Sequence, residues 1–289
     1  MELIDEHKSF GGWQRRYKHQ SSKCQCEMTF SLYLPPQVAT ERVPVVYWLS
    51  GLTCTDENFV NKAGAQRAAS ELGLALVAPD TSPRGAEVPD RDQFDLGQGA
   101  AFYVNATQDP WATNYQMYDY LVQELPLQLG AAFGEHELIM GREAIAGHSM
   151  GGHGALAIGL NEGERYAGIV AFSPVCAPTA VPWGQQAFPL YLGDNQALWQ
   201  QYDACELLRC APAAASLPPI QVEQGLADNF LDEQLRPDLI EEAARETGAD
   251  VVVNRREGYD HSYFFIASFI EQQLKFLREQ LDQKPLPDT

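Results

Sequence analysis

Gly147-His-Ser149-Met-Gly151 places a serine between two glycines, one two residues before it and one two residues after. That spacing suits a nucleophile. A serine on a sharp turn from strand to helix has strained backbone dihedrals, and only small residues at those two positions let the turn close. Its hydroxyl then stands at a helix N-terminus, where the N–H of Met150 can face a developing oxyanion. Glu143–Gly147 before it has the character of a strand, and Gly151–Asn161 after it the character of a helix. A glycine-rich turn that merely caps a helix with serine would share the five residues without needing that strand.

A serine nucleophile needs a base and an acid, which in chains built around this turn follow in the order serine, acid, histidine. Of the six histidines, at 7, 19, 136, 148, 153 and 261, only His153 and His261 come after Ser149. His153 lies on the same helix as the serine, too early to follow an acid from a later strand. Elimination leaves His261, in the loop Glu257-Gly-Tyr-Asp-His261 between a strand and an amphipathic helix. The acid should sit just past the preceding strand, and Asp228 is the first carboxylate beyond Pro219–Gly225. Asp232 reads better as the cap of the next helix, Asp194 is a third choice, and Asp260 adjoins the histidine too closely to orient it. A second oxyanion donor should come from the exit of an early strand, Val45–Gly51, which points to the N–H of Leu52. Each such donor is typically worth about 3 kcal/mol in the transition state. Cys54 follows that loop and belongs near the pocket, or is a small buried filler.

These residues need a frame to bring them together. Short apolar runs ending in Gly, Pro or Asp recur at Met28–Leu34, Val43–Leu49, Ala75–Ala78, Glu143–Gly147, Gly168–Phe172, Ile220–Glu223 and Asp250–Asn254. Helical periodicity fills Asn58–Leu72, Tyr115–Phe133, Gly151–Asn161, Asp232–Thr247 and Ser262–Gln280 between or after them. Such alternation predicts an α/β fold, a mostly parallel sheet covered on both faces, with its chemistry past the carboxyl ends of the strands. Because Ser149, Asp228 and His261 span strands of one sheet, residues 1–289 are expected to form a single domain.

The chain has 20 Lys and Arg against 39 Asp and Glu, a formal charge of −19. That surface would repel a phosphate backbone and anionic membranes, so neither nucleic acid nor a membrane is an expected partner. Leu72–Pro79, the best apolar run, is only strand-length, and MELIDEHKSF lacks the apolar core of a secretory signal. The six cysteines form no C-x-x-C pair, which fits reduced thiols in a cytoplasmic protein. Cys24 and Cys26 are expected to alternate along a strand and share a face. No His or Cys nearby completes a metal site with them.

Long stretches of the chain resemble one family. They are YWLSGLTCT (Tyr47–Thr55), APDTSPRG (Ala78–Gly85), FYVNATQDPW (Phe102–Trp111), GHSMGGHGAL (Gly147–Leu156), PWGQQAFPLYLG (Pro182–Gly193), GLADNFL (Gly225–Leu231) and EGYDHSYFFI (Glu257–Ile266). They resemble the S-formylglutathione hydrolases of the esterase D family, over nearly the whole length. The resemblance implies an α/β-hydrolase fold without a large lid, and a cytosolic homodimer that uses no cofactor. It also implies hydrolysis of S-formylglutathione to glutathione and formate, with Ser149, Asp228 and His261 as the catalytic set. A cysteine at the place of Cys54 goes with sensitivity to thiol reagents in that family. Trp183, in the Pro-Trp-Gly segment between two late strands, either walls the acyl pocket or is an ordinary packing aromatic. Lys62 and Arg84 are candidates to hold the glutathionyl half, which carries two carboxylates and one ammonium, or else are surface salt partners. On a chain of charge −19 such a binding site must be a local exception. The same three residues would also serve a general short-chain esterase, a thioesterase for another thiol or an acyltransferase; a binding module without activity would not need them. A zinc thioesterase would require an H-x-H-x-D-H cluster, which is missing from the sequence.

Overall fold

The computed structural model describes residues 1–211 and 216–284. Its strands are β1 (Glu2–Ser9), β2 (Gly12–Gln20), β3 (Glu27–Leu34), β4 (Val43–Leu49), β5 (Ala75–Pro79), β6 (Leu138–His148), β7 (Tyr166–Phe172), β8 (Ile220–Gly225) and β9 (Val251–Arg256). They form one sheet in the order β1-β2-β3-β5-β4-β6-β7-β8-β9. From β5 to β9 every neighbouring pair is parallel, while β1, β2, β3 and β5 pair antiparallel. The mostly parallel α/β sheet is thus as expected, and all seven predicted strands are present.

The hairpin β1–β2 is an addition to that expectation. ELIDEHKS is almost entirely exposed, and in β2 the buried residues Tyr17 and His19 are separated by charged or polar ones, so no apolar run marks either strand. Pairing comes instead from a two-residue turn at Phe10 and Gly11, both with positive φ (46° and 78°), the geometry that fits the twist of a hairpin. Across the strands Arg15 pairs with Glu6 at 2.6 Å, in direct register. Cys24 and Cys26 lie in the turn between β2 and β3, not along a strand, and only Cys24 is buried.

The expected helix 58–72 is two, α1 (Asp56–Lys62) and α2 (Ala65–Leu72), separated at Gly64. The run 115–133 holds α3 (Met117–Asp119) and α4 (Leu125–Phe133), joined by a wide turn of π type over Tyr120–Glu124. After β6 comes α5 (Met150–Asn161), then α6 (Pro182–Leu192), α7 (Gln196–Gln200) and α8 (Ala204–Cys210). Those last three are short, and α6 contains Pro189, so no sustained helical period announced them. The expected helix 232–247 breaks at Arg236, whose φ is 47°, and resumes as α9 (Pro237–Thr247); α10 (Tyr263–Gln283) closes the fold. Among the described residues no helix is long and apolar enough to cross a membrane.

Each face of the sheet carries its own core. On one, Trp48, Phe172 and Val170 pack against Phe59 of α1 and Phe265, Ile270 and Leu274 of α10. On the other, α5 lies against Ile145, Ile169 and Phe102, and nearly every one of its residues is buried. His153 of α5 is fully buried there, with its Nε2–H donated to the Phe102 carbonyl at 3.0 Å. Burial lowers its pKa to about 4, whereas in an unfolded chain it titrates near 6.5. Between those values the unfolded chain binds a proton that the folded chain refuses, so stability falls as pH drops from about 6.5 to about 4. The slope from this one group approaches about 1.4 kcal/mol per pH unit. Urea midpoints at pH 7 and pH 5 should differ accordingly, and His153→Gln should shrink the difference.

Candidate active site

β6 ends at His148 and α5 begins at Met150, so Ser149 is the whole turn between them, with φ 59° and ψ −120°. Such a conformation costs about 1–3 kcal/mol in a non-glycine residue and persists because its surroundings hold it. Ser149 N–H donates to the Phe172 carbonyl of β7 (2.9 Å), and its own carbonyl accepts from His153 N–H (3.0 Å). The flanking glycines are required by close backbone approach. A Cβ on Gly147 would lie 2.1 Å from the Gly151 carbonyl oxygen, and one on Gly151 would lie 2.0 Å from that of Leu49. Gly151→Ala is therefore expected to lower stability by about 3 kcal/mol and the thermal midpoint by roughly 6–12 °C, measured by calorimetry.

β8 and β9 are neighbours, and their exit loops lie side by side, with Ala227 N–H donating to the Tyr259 carbonyl at 2.9 Å. This brings Asp228 to His261, Oδ2 to Nδ1 at 2.6 Å, while His261 Nε2 stands 2.9 Å from Ser149 Oγ. Asp228 is buried, and its other oxygen accepts Phe230 N–H at 2.9 Å, which fixes the carboxylate plane. A carboxylate at Nδ1 keeps the ring proton there, leaving the Nε2 lone pair to accept the serine hydroxyl. The other acids are elsewhere. Asp260 accepts from Ser262 N–H and Oγ–H at the start of α10, Asp232 lies in the wide turn Leu231–Leu235, and Asp194 is exposed beyond α6.

The loop after β4 lies over the serine: a Cβ on Gly51 would be 3.0 Å from Ser149 Cβ. Neither Leu52 N–H nor Met150 N–H has a protein acceptor among the described residues. The loop is clamped from behind. Thr53 N–H donates to the Gly99 carbonyl (2.9 Å), and Tyr103 O–H donates to that of Ser50 (2.8 Å). Arg84 Nη2 donates to the Cys54 carbonyl (2.9 Å) while its Nε holds Asp80 at 2.9 Å. Arg84 is no part of the cavity wall; its Nε and Nη2 brace the loop from behind.

A cavity of about 360 Å³ opens on Ser149 and His261. Leu52, Cys54, Lys62 and Trp183 line it, joined by Asn58, Phe94, His148, Phe230 and Tyr263, which the sequence did not single out. Trp183 sits in the first turn of α6, its backbone N–H held by Gln234 Oε1 at 3.0 Å. Its ring lies 4.9 Å from that of Phe230, tilted by 48°, and Phe230 in turn lies 5.0 Å from the His261 ring. Burial pushes the Cys54 thiol pKa up, opposed by Tyr263 and the Lys62 charge, so the group is a thiol rather than a nucleophilic thiolate at neutral pH. His148 packs 4.5 Å from the His261 ring with both ring nitrogens unpartnered among the described residues. Burial, and then the neighbouring His261, hold its pKa well below the usual value. It stays neutral and adds no charge to compete with an imidazolium on His261. Its position inside the serine motif was the one signal that could have found it. Among the described residues no group of three or more His, Cys, Asp or Glu is arranged to hold a metal ion.

Comparison with known proteins agrees with this geometry. The Esterase family model matches residues 21–276. An S-formylglutathione hydrolase from Agrobacterium tumefaciens is 45% identical, over 97% of this chain and 100% of its own, with a TM-score of 0.94. The fluorophosphonate-binding serine hydrolase FphF of Staphylococcus aureus shares the fold at 19% identity and a TM-score of 0.73, over 92% of this chain and 98% of its own. MPT51 of Mycobacterium tuberculosis does so at 16% identity and 0.70, over 92% and 99%. With an α/β-hydrolase sheet, a serine at its central strand-to-helix turn and this likeness along the whole length, the chain belongs to the S-formylglutathione hydrolase family of esterases.

Proposed function

We propose that this protein is a serine hydrolase that cleaves the thioester S-formylglutathione to glutathione and formate, the hydrolytic step of formaldehyde detoxification. The observation that carries the reading is the line Asp228–His261–Ser149, at 2.6 and 2.9 Å, with His261 and Ser149 lining a small cavity. His261 Nε2 takes the Ser149 proton as Oγ attacks the formyl carbon. Asp228 orients the imidazole and stabilises its charged form. Leu52 and Met150 N–H groups receive the oxyanion. Collapse breaks the carbon–sulfur bond, the imidazolium protonates the leaving thiolate, and a formyl-serine ester remains. Water then attacks that ester, giving its proton to His261, and Ser149 leaves with the proton returned, releasing formate.

Phe230, Trp183 and Phe94 crowd the cavity, which favours a small acyl group over a long one. Steady-state kinetics on S-formylglutathione, S-lactoylglutathione and an aryl acetate, measured side by side, test the reading. A kcat/KM for S-formylglutathione that exceeds both others supports it; one below the aryl acetate would replace it with a general esterase. The same reading has residues 1–289 act as one domain, in a homodimer, in the cytoplasm with reduced thiols. Sedimentation at micromolar concentration tests the dimer.

A further inference from the structure

The chain carries 39 acidic residues, yet among the described residues no Asp or Glu lines the cavity, and Lys62 is the one lysine or arginine that does. The carboxylates nearest in sequence are turned away. Asp56 is held by Arg16 through two hydrogen bonds of 2.8 and 2.9 Å, and by Ser31 Oγ at 3.0 Å; Glu57 pairs with the same arginine at 3.1 Å. Lys62 has no carboxylate partner among the described residues, and its Nζ stands 5.6 Å from the centre of the Tyr263 ring, inside the cavity wall.

One turn earlier on the same face of α1 is Asn58, and local structure decides which way its amide points. Its Oδ1 accepts Thr55 N–H at 2.9 Å, completing a capping box at the start of α1. The oxygen being committed to the backbone, the NH₂ is the end left without a protein acceptor. Lys62 and Asn58 therefore present donors only, one of them charged, to a cavity otherwise lined in part by Phe94, Trp183 and Phe230. The oxyanion donors account for neither.

We propose that Lys62 and Asn58 form the specificity site for a carboxylate of the leaving thiol, so that this face of α1 holds the glutathionyl half while Ser149 attacks the acyl half. The assignment rests on the hydrolase reading above and adds which residues select the thiol. Arg84, the other cation considered, does not line the cavity, and its Nε and Nη2 are bonded to Asp80 and the Cys54 carbonyl.

The test compares S-formylglutathione with S-formyl-N-acetylcysteamine, a neutral thioester with the same reacting carbonyl. In Lys62→Met the preference for S-formylglutathione, as a ratio of kcat/KM, should fall about tenfold, the scale of one hydrogen bond to a charged group, and the change should lie in KM. Lys62→Arg should restore most of it. Asn58→Asp is the decisive second variant. It keeps the oxygen that caps α1 and replaces the cavity-facing donor by an anion, so the preference should fall at least as far while the thermal midpoint holds. Added salt should weaken the wild-type preference more than that of Lys62→Met. Unchanged preference in both Lys62→Met and Asn58→Asp, or equal losses on the two substrates, would overturn the assignment while leaving the hydrolase reading intact. A wild-type enzyme that turns over the neutral thioester but not S-formylglutathione would instead overturn the hydrolase reading.

Discussion

Ser149→Ala is expected to lower kcat on S-formylglutathione about 10⁶-fold, the loss seen when a hydroxyl nucleophile is removed from a serine–histidine pair. Alanine keeps the volume and the backbone of the turn. Phe172 still accepts its N–H and His153 still donates to its carbonyl, so the fold should be intact. What disappears is the Oγ that stands 2.9 Å from His261 Nε2, and with it the ester intermediate. Because serine and histidine act as one device, His261→Ala should cost about as much, and the double variant little more than either single one. Rates of thioester loss, with calorimetry to show the variants folded, provide the check. A folded Ser149→Ala enzyme within tenfold of wild type would require a different nucleophile, and Cys54, held as a neutral thiol by burial, is a poor one.

Asp228→Asn should cost about 10⁴-fold in kcat, although it alters a single atom. The reason lies in the second bond of that side chain. Phe230 N–H donates to Oδ1 at 2.9 Å, so an asparagine there must keep its oxygen on Phe230 and turn its NH₂ toward His261. An NH₂ at the Oδ2 position, 2.6 Å from Nδ1, demands that Nδ1 carry no proton. The ring proton then moves to Nε2, which can no longer accept from Ser149. Loss should therefore appear in kcat with KM and thermal midpoint little changed. Asp232→Asn and Asp260→Asn serve as controls and should stay within threefold of wild type, since neither carboxylate reaches the ring. If Asp260→Asn proved as damaging as Asp228→Asn, the acid would have to be reassigned.

Ser149 and His261 were legible before any coordinates because their signals are local or ordinal. The glycines of the turn are dictated by two close backbone contacts, and chain order with only two later histidines leaves one base. The acid was less legible. Several carboxylates sit between serine and histidine, and only the adjacency of the β8 and β9 exits shows that Asp228 alone meets Nδ1. The apolar strands β4, β5, β7 and β8 were equally plain, being buried on both faces. The β1–β2 hairpin was hidden because cross-strand ion pairs and a positive-φ turn, not a hydrophobic run, specify it.

The charge of −19, set beside the resemblance to hydrolases of an anionic glutathione thioester, put a condition on this protein: the substrate site must be a local exception. Tertiary structure decided how. Arg84, a cation equally eligible by type and position, is consumed in holding Asp80 and the oxyanion loop. Lys62 remains free because Arg16, from a strand forty residues away in the chain from Asp56, neutralises both carboxylates at the start of its helix. Whether a charge is spent or available depends on which partners lie within about 4 Å. Those partners come from elements far apart in sequence, so only the folded arrangement of strands and helices could determine it.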